Sequence, residues 1–222
     1  IGKNLTFHPS CGIGQILFKK KINYHSIKKD INYKNKIFFI QDNSKDKKLN
    51  SALAINLLFD YPKSKFNKFL FKFSKKIIGI NLNLIFEHMP NLKSCINFKD
   101  LNNISKNLNI YTHFTDDNLK IFDELTEDYL KKIKNFCAKY NYNFNQSINE
   151  NFETNNHHHG GTVFGQNLDK YPVDKTNRLN GFKNMFINGS SVFPSSSIYG
   201  PTFTIMALSL RLADNIKKLY IN

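Results

Sequence analysis

The chain has 222 residues, a formal net charge of +15, and an apolar share of 41% that includes 21 Phe and 10 Tyr. That composition supports a sizeable core and excludes disorder throughout. No run of about 18 or more apolar residues occurs, so no membrane-spanning helix is expected.

The charge invites a nucleic-acid reading, and the distribution of the charge argues against it. Arg178 and Arg211 are the only arginines, and the lysines are scattered, as in "KFNKFLFKFSKK". Lys, Asn, Ile and Phe are over-represented together, as AT-rich codon usage would produce, so the charge reads as a solvated surface. Cys11, Cys95 and Cys137 are an odd number at unrelated spacings. They form neither a disulfide framework nor a CxxC zinc site, and they point to a reducing compartment, the cytoplasm. The chain opens "IGKNLTFHP", without Met, signal peptide or transit pattern, as if cut from a longer sequence.

In chain order, "GIGQIL" holds two of the glycines of a dinucleotide fingerprint but not the third, and reads as a turn. "KIFFIQD" is a strand candidate inside a polar, Lys-rich region. From Leu49 to Ile78 the spacing is helical, interrupted at Pro62. "INLNLIFEHMP", ending at Pro90, alternates as a strand does, and "SCINFKD" and "NLNIYTHF" are two further short alternating runs. Together they predict a sheet packed against helices.

The segment "TDDNLKIFDELTEDYLKKIKNFCAKY" predicts a long helix. Thr115 is its N-cap, Asp116 and Asp117 suit its first turn, and Lys131, Lys132 and Lys134 lie toward the other end. Leu119, Phe122, Tyr129, Ile133, Phe136 and Cys137 fall near one face and predict a core stripe. Residues 140–156 read as an Asn-rich linker. "NMFINGSSVFP" predicts a buried strand and a turn. "PTFTIMALSLRLADNIKKLY" predicts a helix that starts at Pro201, with a stripe of Ile205, Leu208, Leu212, Ile216 and Leu219. Phe203, Met206, Ala207 and Leu210 make its first half apolar nearly all round, which predicts deep burial.

"NNHHHGGTVFG" carries the densest chemistry. In an extended segment His157 and His159 point one way and His158 the other, so three ligands to one metal are disfavoured. A histidine beside Gly-Gly-Thr, on backbone able to approach a ligand closely, suits a catalytic or cofactor-contacting base. A polar loop without chemistry is the plain alternative.

The ordered blocks "HHHGGTVFG", "VDKTNR", "SVFP" and "PTFTIMALSLRLAD" together resemble the C-terminal signature of the glucose–methanol–choline (GMC) flavoprotein oxidoreductases. "IFEHMPNLKSCINF" and "IGKNLTFHP" are similar, more weakly, to upstream segments of the family. The resemblance implies an α/β fold. It would comprise an α+β substrate domain with a sheet backed by helices, and the closing strand and helix of an FAD-binding Rossmann-like domain. On that division residues 1–20 end a segment of the FAD domain, 21–152 form the substrate domain, and 153–222 return to the FAD domain.

The family oxidises an alcohol CH–OH to a carbonyl with hydride transfer to flavin N5, while a base takes the hydroxyl proton. Registered on Gly161–Thr162, that base falls on His158. The family's second catalytic residue, a His or Asn, falls on Gly200, which has no side chain to supply. His157 and Tyr199 are the substitutes in reach. Gly189, Ser190 and Ser191 match the place where the family's backbone approaches the flavin, although turn chemistry explains the serines equally well. Pro201, Thr202 and Phe203 begin the helix whose N-terminus faces the flavin.

The expected cofactor is FAD, the substrate a small alcohol or sugar, and the electron acceptor is open. Neither a metal, a nucleic acid nor a membrane span is expected. The GxGxxG half that would hold the ADP portion is not in these residues. A non-oxidative flavin-scaffold lyase, an inactive truncation and a basic nucleic-acid-binding module are the alternatives.

Overall fold

A computed structural model describes residues 1–23, 37–41, 49–61, 76–98, 108–149, 151–154 and 156–220. Its elements are strands β1 (Lys3–Phe7), β2 (Ser10–Asn23), β3 (Ile37–Gln41), β4 (Ser51–Phe59), β5 (Lys76–Phe86), β6 (Cys95–Phe98) and β7 (Leu108–Tyr111). They are followed by helix α1 (Asp116–Tyr140), strands β8 (Asn143–Gln146) and β9 (His158–Gly161), a 3-10 turn (Ser190–Val192) and helix α2 (Thr202–Tyr220). The architecture is mixed α/β. No helix among the described residues is long and apolar enough to cross a membrane.

The chain forms two compact units. One comprises Ile1–Pro9, Phe86–Lys120 and Glu153–Asn222; the other comprises Ser10–Ile85 and Ile121–Phe152.

The second unit is built on a five-stranded sheet in the order β3-β4-β5-β2-β8. "GIGQIL" is not a turn but the interior of β2, antiparallel to both β5 and β8. Its glycines serve the sheet: the register slips between Gly12 and Gly14, and Gly14 adopts φ +143 where a Cβ would run into the Asn145 backbone oxygen. A bulge of this kind bends a strand between two neighbours.

The helical spacing after Leu49 is likewise overridden, because β4 pairs with β3 from Ala52 to Asn56. Ser51–Ala54 are all buried, which is how a central strand covered on both faces reads. Residues 62–75, with Pro62, lie outside the described residues, and Lys76 to Ile78 at the end of that spacing are the start of β5. The Asn-rich stretch is not only linker, since β8 lies within it and pairs with Gly14–Leu17.

Helix α1 forms as its sequence predicts. The Thr115 hydroxyl accepts the Asn118 N–H at 3.2 Å, satisfying one of the donors that the first turn leaves open. Phe122, Tyr129, Ile133 and Cys137 are buried, joined by Leu125 and Leu130. Leu119 and Phe136, expected in the core, lie at the margins of that stripe and are exposed; Phe136 stacks instead on Tyr142 and lies tilted against Tyr140.

The first unit holds the sheet β7-β6-β1-β9, so that "SCINFKD" and "NLNIYTHF" pair with each other and β1 lies beside β9. A small core of Val173, Leu179, Val192 and Phe193 packs against Phe164, Ile187, Ile205 and Leu208. "NMFINGSSVFP" makes no regular strand. Phe186 forms a single bridge with Arg178, and the 3-10 turn follows.

Helix α2 runs where predicted, but its first half is not deeply buried. Phe203 is 82% exposed, Leu210 71% and Met206 60%. Ile205 and Leu208 occupy the one face that packs on the small core, and no described residue covers the opposite apolar face.

Candidate active site

The site lies in the first unit, where β9 and the segment around Pro194 converge on the end of β1. The Gly-Gly pair of β9 allows the close approach. Gly160 has φ +81, and a Cβ there would strike the backbone oxygen of Asn4; Gly161 has φ +91 with open space around it. The Gly2 N–H donates to the Gly161 carbonyl at 2.6 Å, and Thr6 and Phe7 stand opposite His159 and His158. Beyond the strand, the Thr162 N–H donates to the Ser191 carbonyl at 3.0 Å, its hydroxyl donates to Ser191 Oγ at 2.8 Å, and the Phe164 N–H donates to the Val192 carbonyl. The 3-10 turn is thereby fastened to the end of β9, which gives Ser191 a structural task.

The three adjacent histidines separate into different environments. His158 is exposed. His157 and His159 both reach His8, as alternation in an extended chain requires. His157 Nδ1 lies 3.1 Å from His8 Nδ1, and the His159 ring lies 4.9 Å from the His8 ring. His159 is almost fully buried, stacked on Phe193 with ring centroids 5.5 Å apart, and both of its ring nitrogens lack a hydrogen-bond partner among the described residues. Burial, reinforced by the charges of His8, His157 and His158, pushes its pKa down to about 4, so it is neutral near pH 7.

His8 is the residue that sequence reasoning missed. It is separated from His157 by 149 positions, and periodicity gives it no signal. It is buried at the end of β1, and its Nε2–H donates to the Ser196 carbonyl at 2.7 Å. Burial lowers the His8 pKa, and the positive charge of His157 adds to this; the Ser196 bond and Glu87 oppose it, and the net direction is down. Ser196 is itself buried, its Oγ accepting the His88 N–H at 3.0 Å. His88 in turn bonds the His113 carbonyl at 3.0 Å through Nε2.

Gly200 sits against His157. A Cβ built on Gly200 would lie 3.5 Å from His157 Cε1 and 3.9 Å from Nε2. Tyr199 is 55% exposed. A cavity of about 320 Å³ opens beside them, lined by His159, Phe164, Phe193, Tyr199, Gly200 and Pro201 among others.

Helix α2 starts at the rim of that cavity. The Pro201 carbonyl accepts the Ile205 N–H at 2.9 Å, so the N–H groups of Thr202 and Phe203 have no acceptor within the helix. Gly189 precedes the 3-10 turn with φ +116, and nothing lies within 4 Å of where its Cβ would stand. The Ser190 carbonyl accepts the Phe193 N–H, closing the turn. No group of three or more His, Cys, Asp or Glu among the described residues is arranged to hold a metal ion.

The GMC oxidoreductase family pattern matches residues 96–209, which include β9, the 3-10 turn, Gly200 and the start of α2. The chain belongs to the GMC oxidoreductase family. It is similar to the fructose dehydrogenase large subunit of Gluconobacter japonicus, with 38% identity over 65 residues, 29% of this chain and 12% of that protein. Its fold is similar to that of pyridoxine 4-oxidase from Mesorbium loti, with a TM-score of 0.63 and 14% identity over 97% of this chain. The chain spans 43% of that structure. Members of the GMC oxidoreductase family are FAD-dependent oxidoreductases. The side chain nearest to Gly200 is the His157 ring.

Proposed function

We propose that this GMC oxidoreductase uses FAD to oxidise CH–OH groups, with a sugar, polyol or other primary or secondary alcohol as donor. The observation that carries the reading is the family match over residues 96–209, which contains both the His158 turn and Gly200. The identity with a fructose dehydrogenase subunit supports a sugar or polyol within that class.

The residues present suit a flavin. Gly189 leaves the space of a side chain empty, Thr202 and Phe203 offer backbone N–H groups at the positive end of α2, and Phe203 offers an uncovered apolar surface. Such a helix start favours a partly anionic ring edge. Gly189, Ser190, Pro201, Thr202 and Phe203 are the residues proposed to hold it. When bound, FAD supplies the hydride acceptor.

His158 takes the hydroxyl proton, a task suited to an imidazole near neutral pH. It is exposed on the first residue of β9, whose backbone is fixed by pairing with Phe7. His157 supplies the second polar contact to the substrate oxygen, which Gly200 cannot make, and Tyr199 is its rival for that contact. Residues 21–152 serve as the substrate-binding part, and 1–20 with 153–222 serve the flavin side.

The test uses the intact protein with its bound flavin. Mixed anaerobically with a panel of sugars, polyols and simple alcohols, the flavin is expected to lose its oxidised absorbance with at least one. No loss with any of them contradicts the reading and favours non-oxidative chemistry.

A further inference from the structure

Three observations converge on the His8–His157 pair. Its Nε2 lies 2.7 Å from the Ser196 carbonyl oxygen, which only accepts hydrogen bonds, so in the neutral ring the proton sits on Nε2. His8 Nδ1 is therefore a bare acceptor. The atom it faces, at 3.1 Å, is His157 Nδ1, which must then carry a hydrogen. A neutral His157 holding its proton on Nδ1 has its lone pair on Nε2. The Cε1–Nε2 edge of that ring is the edge turned toward Gly200.

We infer that His8 is a positioning residue: bonded to the Ser196 carbonyl, it fixes His157 as the Nδ1–H tautomer and turns the Nε2 lone pair toward the space left by Gly200. The glycine leaves room there for the His157 ring. Its φ lies outside the left-handed region, and a Cβ would make only ordinary contacts, all of them with His157. Backbone strain therefore does not demand glycine, and a longer side chain would compete with the His157 ring for the same volume. Glu87 and His157 are among the charged and titratable groups acting on His8, and His159 packs on its ring face. The Ser196 carbonyl is the partner of Nε2 at 2.7 Å. The tautomer assignment is independent of the reaction, whereas its part in turnover rests on the oxidoreductase reading above.

Isotope-edited NMR of the imidazole nitrogens in the intact protein distinguishes the two tautomers directly. The expected result is His157 protonated on Nδ1 and bare on Nε2 in the wild type. His8→Leu removes the acceptor, and His157 is expected to become a mixture of tautomers. His8→Asn places a carboxamide oxygen near the former Nδ1 and is expected to keep the Nδ1–H form. A wild-type His157 protonated on Nε2 overturns the inference, even if the leucine variant fails to fold. So does a His157 spectrum unchanged by His8→Leu. In the flavin-loaded protein, His8→Leu is expected to lower kcat about 100-fold, the scale of a misaligned acid–base group, with KM within about twofold and partial rescue by His8→Asn. An NMR result as expected without flavin reduction by any alcohol leaves the tautomer assignment standing and removes the oxidoreductase reading, so the two failures are told apart.

Discussion

The imidazole of His157 lies against Gly200, with Cε1 at 3.5 Å and Nε2 at 3.9 Å from where a Cβ would stand. One residue vacates a volume and the other fills it, so substitutions at the two positions should be coupled. Gly200→Ala is expected to leave the melting temperature within a few degrees of wild type, because the added contacts are of ordinary length. His157→Ala is expected to lower turnover by about 100-fold. Gly200→Asn introduced into the His157→Ala background is expected to recover part of that loss, since the carboxamide then has the ring's volume. Additive losses in the double variant would show that the two residues do not share a task.

Gly160 and Gly181 make a matched pair for backbone constraint. Both have positive φ, but only at Gly160 does a Cβ collide with backbone, that of Asn4; at Gly181 nothing lies within 4 Å. Gly181→Ala is expected to cost about 1 kcal/mol, the ordinary penalty of a left-handed alanine, and Gly160→Ala more than about 3 kcal/mol because β1 and β9 must separate. Denaturant midpoints of the two variants check the difference. Equal midpoints would mean that the β1–β9 approach is not tight.

His159 sets an acid limb on stability. Its folded-state pKa is near 4, below the ordinary histidine value of 6.5, because burial and the neighbouring histidines disfavour the charge. The unfolded chain therefore takes up a proton between about pH 6.5 and about pH 4 while the folded state does not. The stabilisation is fully present above the unfolded value and is lost as pH falls toward the folded one. His8 and His88, also lowered chiefly by burial, act in the same direction. His159→Phe keeps the stack on Phe193 and removes two unpartnered nitrogens, so melting temperatures measured across this window should fall less steeply than in the wild type. An identical slope would show that His159 is not the group responsible.

Asp174 organises the loop around "VDKTNR". One of its oxygens accepts the Thr176 N–H at 2.8 Å, the Thr176 hydroxyl at 2.6 Å and the Arg178 N–H at 3.0 Å. Burial pushes the carboxyl pKa up, but these bonds and the Arg178 charge outweigh it and hold the pKa below its ordinary value. The stabilisation is present above the unfolded carboxylate pKa of 3.8 and disappears as pH falls through the folded value. Asp174→Asn is expected to cost about 1–2 kcal/mol at neutral pH by weakening charge-assisted bonds, and to cost less in strong acid. A penalty that is the same at both pH values would count against the carboxylate's role.

The C-terminal half was far more legible than the N-terminal half. Thr115 with Asp116 and Asp117 marked the start of α1, because a cap and its charges are local features. "HHHGGT", "SVFP" and "PTFT" pointed to a candidate site through their resemblance to the ordered blocks of the family. "GIGQIL" and "SALAINLLF" misled, since pairing with β5, β8 and β3 overrode local spacing, and such partners leave no trace within the strand itself. Apolar Phe203, Met206 and Leu210 predicted burial, yet the residues of this chain cover only the other face of α2. His8 was invisible because its significance comes from Ser196 and His157, both distant in the chain.

Rapid anaerobic mixing of the intact flavoprotein with its best sugar or alcohol, for the wild type and for His158→Ala, tests the central claim most directly. The account predicts that the wild-type flavin is reduced, and that the variant binds flavin equally well but is reduced at least about 100-fold more slowly. Flavin that no alcohol or sugar reduces, or a variant reduced at the wild-type rate, would contradict it.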